Sequence, residues 1–255
     1  MHPTSSAPPK NTRFKTLRSR QFCKRVPIVS LGEKPMISGH DRRILLRTGA
    51  IASIGMLILI PLQIAVFVLY PPPAEALQWF ELFSSNRLLA LIELDLLYII
   101  DNTLVSLVYL ALYVLLKEKS KGVMLIALLL GLLGIAAYYS SNPAFEMMEA
   151  HKAWAAAATD AERTQWLTIA NMLLLQINGS AFITYYILNG ACLILISLVL
   201  MNREGYKRIG IIGLISGILM SIPSPFGILG MICALLSLIP WMLFLILLLR
   251  PFWKG

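Results

Sequence analysis

The segment ALIELDLLYIIDNTLVSLVYLALYVLL, residues 90–116, is long and apolar enough to cross a lipid bilayer as one α-helix. About 20 predominantly apolar residues suffice for such a crossing. Five further segments have the same character, at residues 48–70, 122–139, 180–201, 207–222 and 226–249. The sequence therefore predicts an all-α membrane protein, a bundle of six transmembrane helices.

The overall composition points to the same class. The 255 residues are 58% hydrophobic and 14% charged, with a mean hydropathy of +0.74, whereas about 25% of the residues in a soluble domain are charged. The net charge of +9 would suit nucleic acid only if a soluble face presented it, and no soluble domain is predicted. We therefore expect membrane lipids, and no nucleic acid, as partners.

The distribution of basic residues predicts the orientation in the membrane. Nineteen of the 22 Lys and Arg residues lie before the first span, in every second loop or after the last span. Because basic segments stay in the cytoplasm, both termini are predicted to be cytoplasmic, including the short C-terminal segment 250–255.

Residues 1–47 form a basic N-terminal segment that is rich in Ser, Thr and Pro. Such a composition buries no core, so we expect a disordered cytoplasmic tail. The tail would either be a solvated topogenic segment or bind anionic lipid. Met36 offers an alternative translation start, in which case residues 1–35 are an over-extended start.

Two long loops, residues 71–87 and 143–165, fall on the extracytoplasmic side in this topology. They mix aromatic, acidic and alanine residues, so we expect each to form an interfacial helix. In the first loop, the side chains expected in the headgroup region are Leu77, Trp79, Phe80 and Phe83. In the second, Thr159 and Glu162 have the spacing of a capping box, which predicts a helix running straight into the fourth span.

Polar residues lie at a similar depth in three of the predicted spans. Asp101 is about 24 Å above the inner end of the second span, at 1.5 Å per residue. An acid in hydrocarbon costs about 2.5–3.5 kcal/mol, so such a residue seldom faces lipid. We hypothesise that five side chains converge on a pocket in the outer leaflet, open to the extracytoplasmic side: Gln63, Asp101, Asn102, Tyr185 and Asn189.

These polar groups could instead hydrogen-bond one helix to another, at about 0.6 kcal/mol per contact. That interpretation explains the asparagines and tyrosines but not Asp101, because Asn or Ser would serve equally well. A carboxyl group at this depth is typical of a substrate or proton pathway. Glu93 and Asp95 lie further out on the same span, where we expect them to meet headgroups and water.

The sequence offers no recognisable catalytic or cofactor-binding motif. His2, His40 and His151 lie outside the predicted spans, and no HExxH motif is present, so no metal site is predicted. Ser180 lacks a GxSxG context, and no Walker or GxGxxG motif occurs. We therefore predict neither a cofactor nor an enzymatic activity.

The segment ILNGACLILISLVLMNREGYKRIGIIGLISGIL, residues 187–219, resembles a group of bacterial multi-pass membrane proteins of unknown function. In that group a glycine-bearing span is followed by a short basic loop and a glycine-rich span. The resemblance covers the second to sixth spans and implies a bacterial inner-membrane location. It implies no activity and no catalytic residues.

These observations predict a binding function for the polar layer. The expected ligand is a lipid, a small apolar molecule or a partner membrane helix. The alternative is a proton-coupled carrier that uses Asp101, and an intramembrane enzyme is the least favoured class.

Overall fold

Ten α-helices make up most of residues 38–255, the part of the chain that the structure, a computed structural model, describes. They are α1 (Gly39–Leu69), α2 (Ala76–Ser85), α3 (Arg87–Glu93), α4 (Leu96–Leu116), α5 (Lys121–Ser141), α6 (Ala144–Ala156), α7 (Asp160–Ile177), α8 (Ser180–Met201), α9 (Lys207–Met220) and α10 (Gly227–Lys254). No β-strand occurs within these residues, so the all-α class is confirmed. The expectations for residues 1–37, including a start at Met36, lie outside the described range.

Six of the helices close into a ring. α1 packs against α4 and α10, α4 against α5, α5 against α8, α8 against α9, and α9 against α10. The Arg42 guanidinium donates to the backbone carbonyl of Gly255 (Nη1–O 2.7 Å), so the start of α1 and the end of α10 lie together. We call this the termini end, and we call the opposite end, where α2, α3, α6 and α7 connect the ring helices, the cap end.

The chain is an integral membrane protein by the length and hydropathy of its helices. Five segments in the described range are long and apolar enough to cross a bilayer: Gly39–Leu69, Leu96–Leu116, Lys121–Ala156, Asp160–Met201 and Gly227–Lys254. The third segment combines the ring helix α5 with the cap helix α6, and the fourth combines the cap helix α7 with the ring helix α8. The predicted fifth span corresponds to α9, which has 14 residues and is about 21 Å long. It falls short of the roughly 20 residues that a crossing needs.

The first and last helices extend beyond their predicted limits. α1 begins at Gly39 rather than residue 48, because the Ser38 hydroxyl caps it by accepting the Asp41 backbone N–H (3.1 Å). The expectation that the tail reaches residue 47 is therefore wrong. α10 continues to Lys254 instead of ending at 249, and Phe252 on this extension is buried against Gly49 of α1.

The second span is broken near its cap end, where one continuous helix was predicted. α3 ends at Glu93 and α4 begins at Leu96, with Asp95 in the left-handed conformation (φ 63°). Asp tolerates this conformation better than most residues. The break frees the Leu94 carbonyl, which accepts the side-chain amide of Asn142 (2.8 Å). Because the partner comes from the distant α5–α6 turn, the local sequence gives no sign of it.

A similar break separates α7 from the fourth span. The predicted capping box is confirmed, since the Thr159 hydroxyl accepts the Glu162 backbone N–H (3.2 Å) and the Glu162 carboxylate accepts the Thr159 backbone N–H (3.3 Å). The predicted continuous run into the fourth span is wrong. α7 ends at Ile177, and α8 begins after Asn178 and Gly179.

The cap helices build a second apolar core of their own. Trp79, Phe80 and Phe83 lie on one face of α2 and are at most 4% exposed, packed in a cluster with residues of α6 and α7 such as Met147. These three side chains therefore face the cap core rather than lipid headgroups, and of the four residues named only Leu77 is exposed. Spacings of three and four residues place them on one face, and α6 supplies the opposing apolar surface.

Candidate functional site

A cavity of about 260 Å³ lies inside the ring at the cap end. It is bounded by α1, α4, α8, α9 and α10, and most of its lining residues come from the helix halves nearer the cap. We call it the bundle cavity. Its wall is mainly apolar and aromatic, with Phe67, Phe182, Leu238 and Trp241 among its residues. A smaller set of polar side chains interrupts this wall, mainly on α1, α4 and α8, with Ser216 on α9 and Ser237 on α10.

Four of the five predicted site residues line the bundle cavity. Gln63, Asp101, Tyr185 and Asn189 reach it from three different helices, and none is more than 5% exposed. Asn102 does not line it. Its side-chain amide donates to the Tyr98 carbonyl within α4 (2.9 Å). Adjacent helical residues point about 100° apart, so Asp101 and Asn102 face different surroundings.

Asp101 is buried beside the cavity without a hydrogen bond to its Oδ1 atom among the residues that the structure describes. The Oδ1 atoms of Asn102 and Asn189 are unpaired in the same way. Most buried polar side-chain atoms in proteins have a partner. Two of these unpaired acceptors, on Asp101 and Asn189, lie at the bundle cavity, which is unusual for a packing seam, whose polar groups pair with each other.

A cluster of tyrosines forms the cap-side wall of the bundle cavity. The hydroxyls of Tyr98 on α4 and Tyr185 on α8 are 3.4 Å apart. The ring of Tyr138 on α5 contacts both, with centroid separations of 5.1 Å to Tyr98 and 5.2 Å to Tyr185. The cluster therefore ties three ring helices together and presents phenol groups to the cavity from α4 and α8.

Asp95 is a cavity residue that the sequence placed too far out. The left-handed turn at Asp95 accompanies its placement in the wall of the bundle cavity, and the Gln63 amide donates to its Oδ1 over 3.5 Å. Asp95 is half-buried, so the expectation that it meets headgroups and water is wrong in part. The sequence does place Asp95 on the same helical face as Tyr98, which lines the cavity, but it gives no sign of the break in the helix.

A second cavity of about 420 Å³ lies between the cap and the ring. We call it the cap cavity. Its wall includes Trp79, Glu93, Tyr138 and Asn142, and it shares Asp95 with the bundle cavity. The two cavities therefore adjoin at Asp95.

Glu93 lies in the wall of the cap cavity and is only 5% exposed. Within residues 38–255, neither of its carboxylate oxygens has a hydrogen-bond partner. The expectation that Glu93 meets headgroups and water is also wrong, because the cap helices cover this end of the ring.

The bundle cavity opens sideways between α1 and α10. Two of its wall residues, Ile64 on α1 and Leu235 on α10, are 40% and 59% exposed. Both are aliphatic and belong to helices that qualify as membrane spans. A molecule dissolved in the bilayer would thus meet an apolar entrance at this seam.

Ser84 and His151 form a second polar pair, in the cap. The Ser84 hydroxyl lies 2.9 Å from Nε2 of His151, and the imidazole stacks on Phe83 (centroids 5.6 Å apart). Burial, and then the Arg87 guanidinium, lower the pKa of His151. Neither residue lines the two cavities, so the pair joins α2 to α6 and is not placed to act on a bound molecule. Beside it, Lys152 and Glu149 form a surface ion pair (2.6 Å).

Comparison of the chain with protein-family models, with curated proteins and with solved structures finds no match in any of the three.

Proposed function

We propose that the protein binds a small apolar or lipid-like molecule in the bundle cavity. The observation that carries this proposal is the cavity itself, which is apolar over most of its wall, polar at one side and open to the bilayer between α1 and α10. Ligand sites are typically apolar concavities with a few placed polar groups. The volume of about 260 Å³ suits a small molecule or the end of one lipid chain.

The polar wall would hold the polar end of the ligand. Gln63, Tyr185 and Asn189 offer amide and hydroxyl groups, and the Asn189 Oδ1 atom has no partner within residues 38–255. The apolar body would lie against Phe182, Leu238 and Trp241. Binding would thus fill the cavity and pair acceptors that the protein leaves unpaired.

The proposal includes a six-span topology with cytoplasmic termini. Gly210 of α9 lies beside Ser197 and Met201 of α8, and Gly217 lies beside Gly190, so α9 runs antiparallel to α8. It therefore returns the chain from the termini end to the cap end before α10 begins. The basic residues of the termini-side loops favour a cytoplasmic location for this end, in a bacterial inner membrane.

A matched pair of variants tests binding. Ala234 lies in the cavity wall, so Ala234→Phe fills the cavity. Ala136 is exposed on α5, outside the cavity, so Ala136→Phe adds the same side chain elsewhere. Native mass spectrometry of gently extracted protein should show a co-purifying molecule on the wild type and on Ala136→Phe, and its loss from Ala234→Phe. Equal occupancy of the two variants, or an empty wild type, would contradict the proposal.

A proton-coupled carrier is the second candidate, and the chain of adjoining cavities favours it. Glu93, Asp95 and Asp101 lie along the path from the cap cavity to the bundle cavity. A carrier must also open toward the termini end, where Phe244, Leu248 and Phe252 fill the ring and are at most 1% exposed. Proton-driven uptake into vesicles that stops in Asp101→Asn would establish this function instead.

A further inference from the structure

The carboxyl groups around the two cavities give the ligand site an acidic character. Asp95 and Asp101 line the bundle cavity, and Glu93 and Asp95 line the cap cavity. No Lys, Arg or His belongs to either wall in the part of the chain that the structure describes. A ligand entering this region therefore meets acidic groups with no basic neighbour that could compete for them.

Two of these carboxylates are buried without a partner. Asp101 and Glu93 are each 5% exposed, and hydrogen-bond partners within residues 38–255 are lacking for Oδ1 of Asp101 and for both oxygens of Glu93. A buried carboxylate requires a counter-charge or a proton, and in a membrane such residues pair or line a pathway. The described residues do not supply the counter-charge. A proton would neutralise these carboxyl groups in the empty site, and a ligand with a positive group would take the place of that proton.

Aromatic rings surround the same space. Tyr98, Tyr185, Tyr186 and Trp241 all belong to the bundle-cavity wall. Aromatic faces attract ammonium groups, and this attraction is stronger where water is excluded. Alkylammonium groups are therefore better suited to this wall than alcohols or carboxylates of the same size.

A bare metal ion fits these features less well than an organic cation. No group of three or more His, Cys, Asp or Glu residues in the described range is arranged to hold a metal. Most of the bundle-cavity wall is apolar and opens to lipid at Ile64 and Leu235. The wall therefore suits a ligand that has an apolar body as well as a positive charge.

We propose that the ligand of the bundle cavity is an amphiphilic organic cation, with its ammonium group beside Asp101 and Asp95 and its apolar chain toward the opening between α1 and α10. This inference rests on the proposed function and names the ligand class of the same site. An ammonium group placed there would be held by the carboxylates and by the rings of Tyr98 and Tyr185.

Three probes with the same alkyl chain separate charge from apolar binding: decyltrimethylammonium, decanol and decanoate. Each would be titrated by calorimetry into purified protein in an uncharged detergent, with the titration into detergent alone subtracted. We expect the ammonium compound to bind about 30-fold or more tightly than decanol, the change that follows from pairing a buried charge. Decanoate should bind most weakly, because it adds a like charge.

Variants then show which carboxyl groups are responsible for the tighter binding of the ammonium compound. Asp101→Asn and Asp95→Asn should each weaken binding of decyltrimethylammonium while leaving binding of decanol unchanged. Glu81→Gln removes an exposed carboxylate outside both cavities and should alter neither. If neither Asp variant can be purified, the order of the three probes on the wild type still decides the inference.

The outcomes distinguish the two levels of the proposal. Saturable binding of all three probes with equal affinity, or tighter binding of decanol, would overturn the cationic ligand and leave the apolar site standing. Ammonium binding that persists in both Asp variants would likewise overturn the inference. An absence of saturable binding by any probe, together with an empty wild type in native mass spectrometry, would overturn the proposed function itself.

Discussion

The two halves of the helix ring differ in what fills their interior. At the termini end, Leu112, Leu193, Phe244 and Leu248 occupy the centre and are fully buried. At the cap end, the same helices leave the bundle cavity, whose wall includes two carboxyl groups, those of Asp95 and Asp101, and the unpaired acceptor of Asn189. We call the half of the ring at the termini end the closed half and the half at the cap end the open half. The closed half stabilises the ring by packing, whereas the open half is less tightly packed and holds the polar binding site.

The largest expected effect separates two phenylalanines on opposite halves. Phe244→Ala removes a fully buried ring from the closed half and should lower the free energy of unfolding by about 3–5 kcal/mol. Phe182→Ala removes a ring that already borders a cavity and should cost only about 1–2 kcal/mol. Reversible unfolding in mixed micelles measures both. Equal losses would show that the two halves are packed alike.

Gly213 tests the closeness of the helices in the closed half. A Cβ atom there would lie 2.5 Å from the Ser197 hydroxyl and 2.8 Å from the Phe244 ring, so Gly213→Ala should destabilise by about 1–3 kcal/mol. The control is Gly122→Ala on α5, where a Cβ meets nothing within 4 Å and stability should hold or rise slightly. If both variants match the wild type, α9 packs more loosely than described.

Asp101 should lower the stability of the fold, because its carboxyl group is buried without a partner in the open half. Asp101→Leu removes a buried, unpaired carboxyl group and should raise the free energy of unfolding by about 1–3 kcal/mol, while abolishing cation binding. The same unfolding assay measures the first change, with Glu81→Gln as the control. A destabilised Asp101→Leu would mean that the carboxyl group is paired within the folded chain.

The smallest expected effect is a pH dependence confined to the cap. The pKa of His151 is lowered in the fold by burial and by Arg87, so the unfolded cap binds the proton more readily. The stabilising contribution of neutral His151 should be present above its ordinary value of 6.5 and be lost as the pH falls through that value. Hydrogen exchange of α2 and α6 should then accelerate relative to α9, and His151→Gln should remove the difference.

The sequence predicted the ring helices better than the interruptions between them. The lengths of the apolar runs located most ends of α4, α5, α8 and α10 to within a few residues. Hydrophobic runs of this length have few structural alternatives to a membrane-spanning helix. At the break near Asp95, the Asn142 side-chain amide donates to the Leu94 carbonyl, and that contact joins residues far apart in the sequence. Such a tertiary contact has no local signature.

In the candidate site, too, the sequence predicted some features and missed those that depend on tertiary contacts. Depth along the spans was enough to select Gln63, Asp101, Tyr185 and Asn189, because polar residues within an apolar run are conspicuous. Asn102 was wrongly assigned to the pocket, because the packing of α4 against its neighbouring helices decides which of its faces lines the cavity. Trp241, from α10, could not have been selected, since an aromatic residue within an apolar span is ordinary.

The most direct test of the ligand site is a single-particle structure of the protein in discs of its own extracted membrane. Density for a bound molecule should lie between α1 and α10, with its polar end within contact distance of Asp101 and its body against Trp241. A structure in which α1 and α10 close the seam, and in which Asp101 pairs with another side chain, would contradict a binding site in this half of the ring.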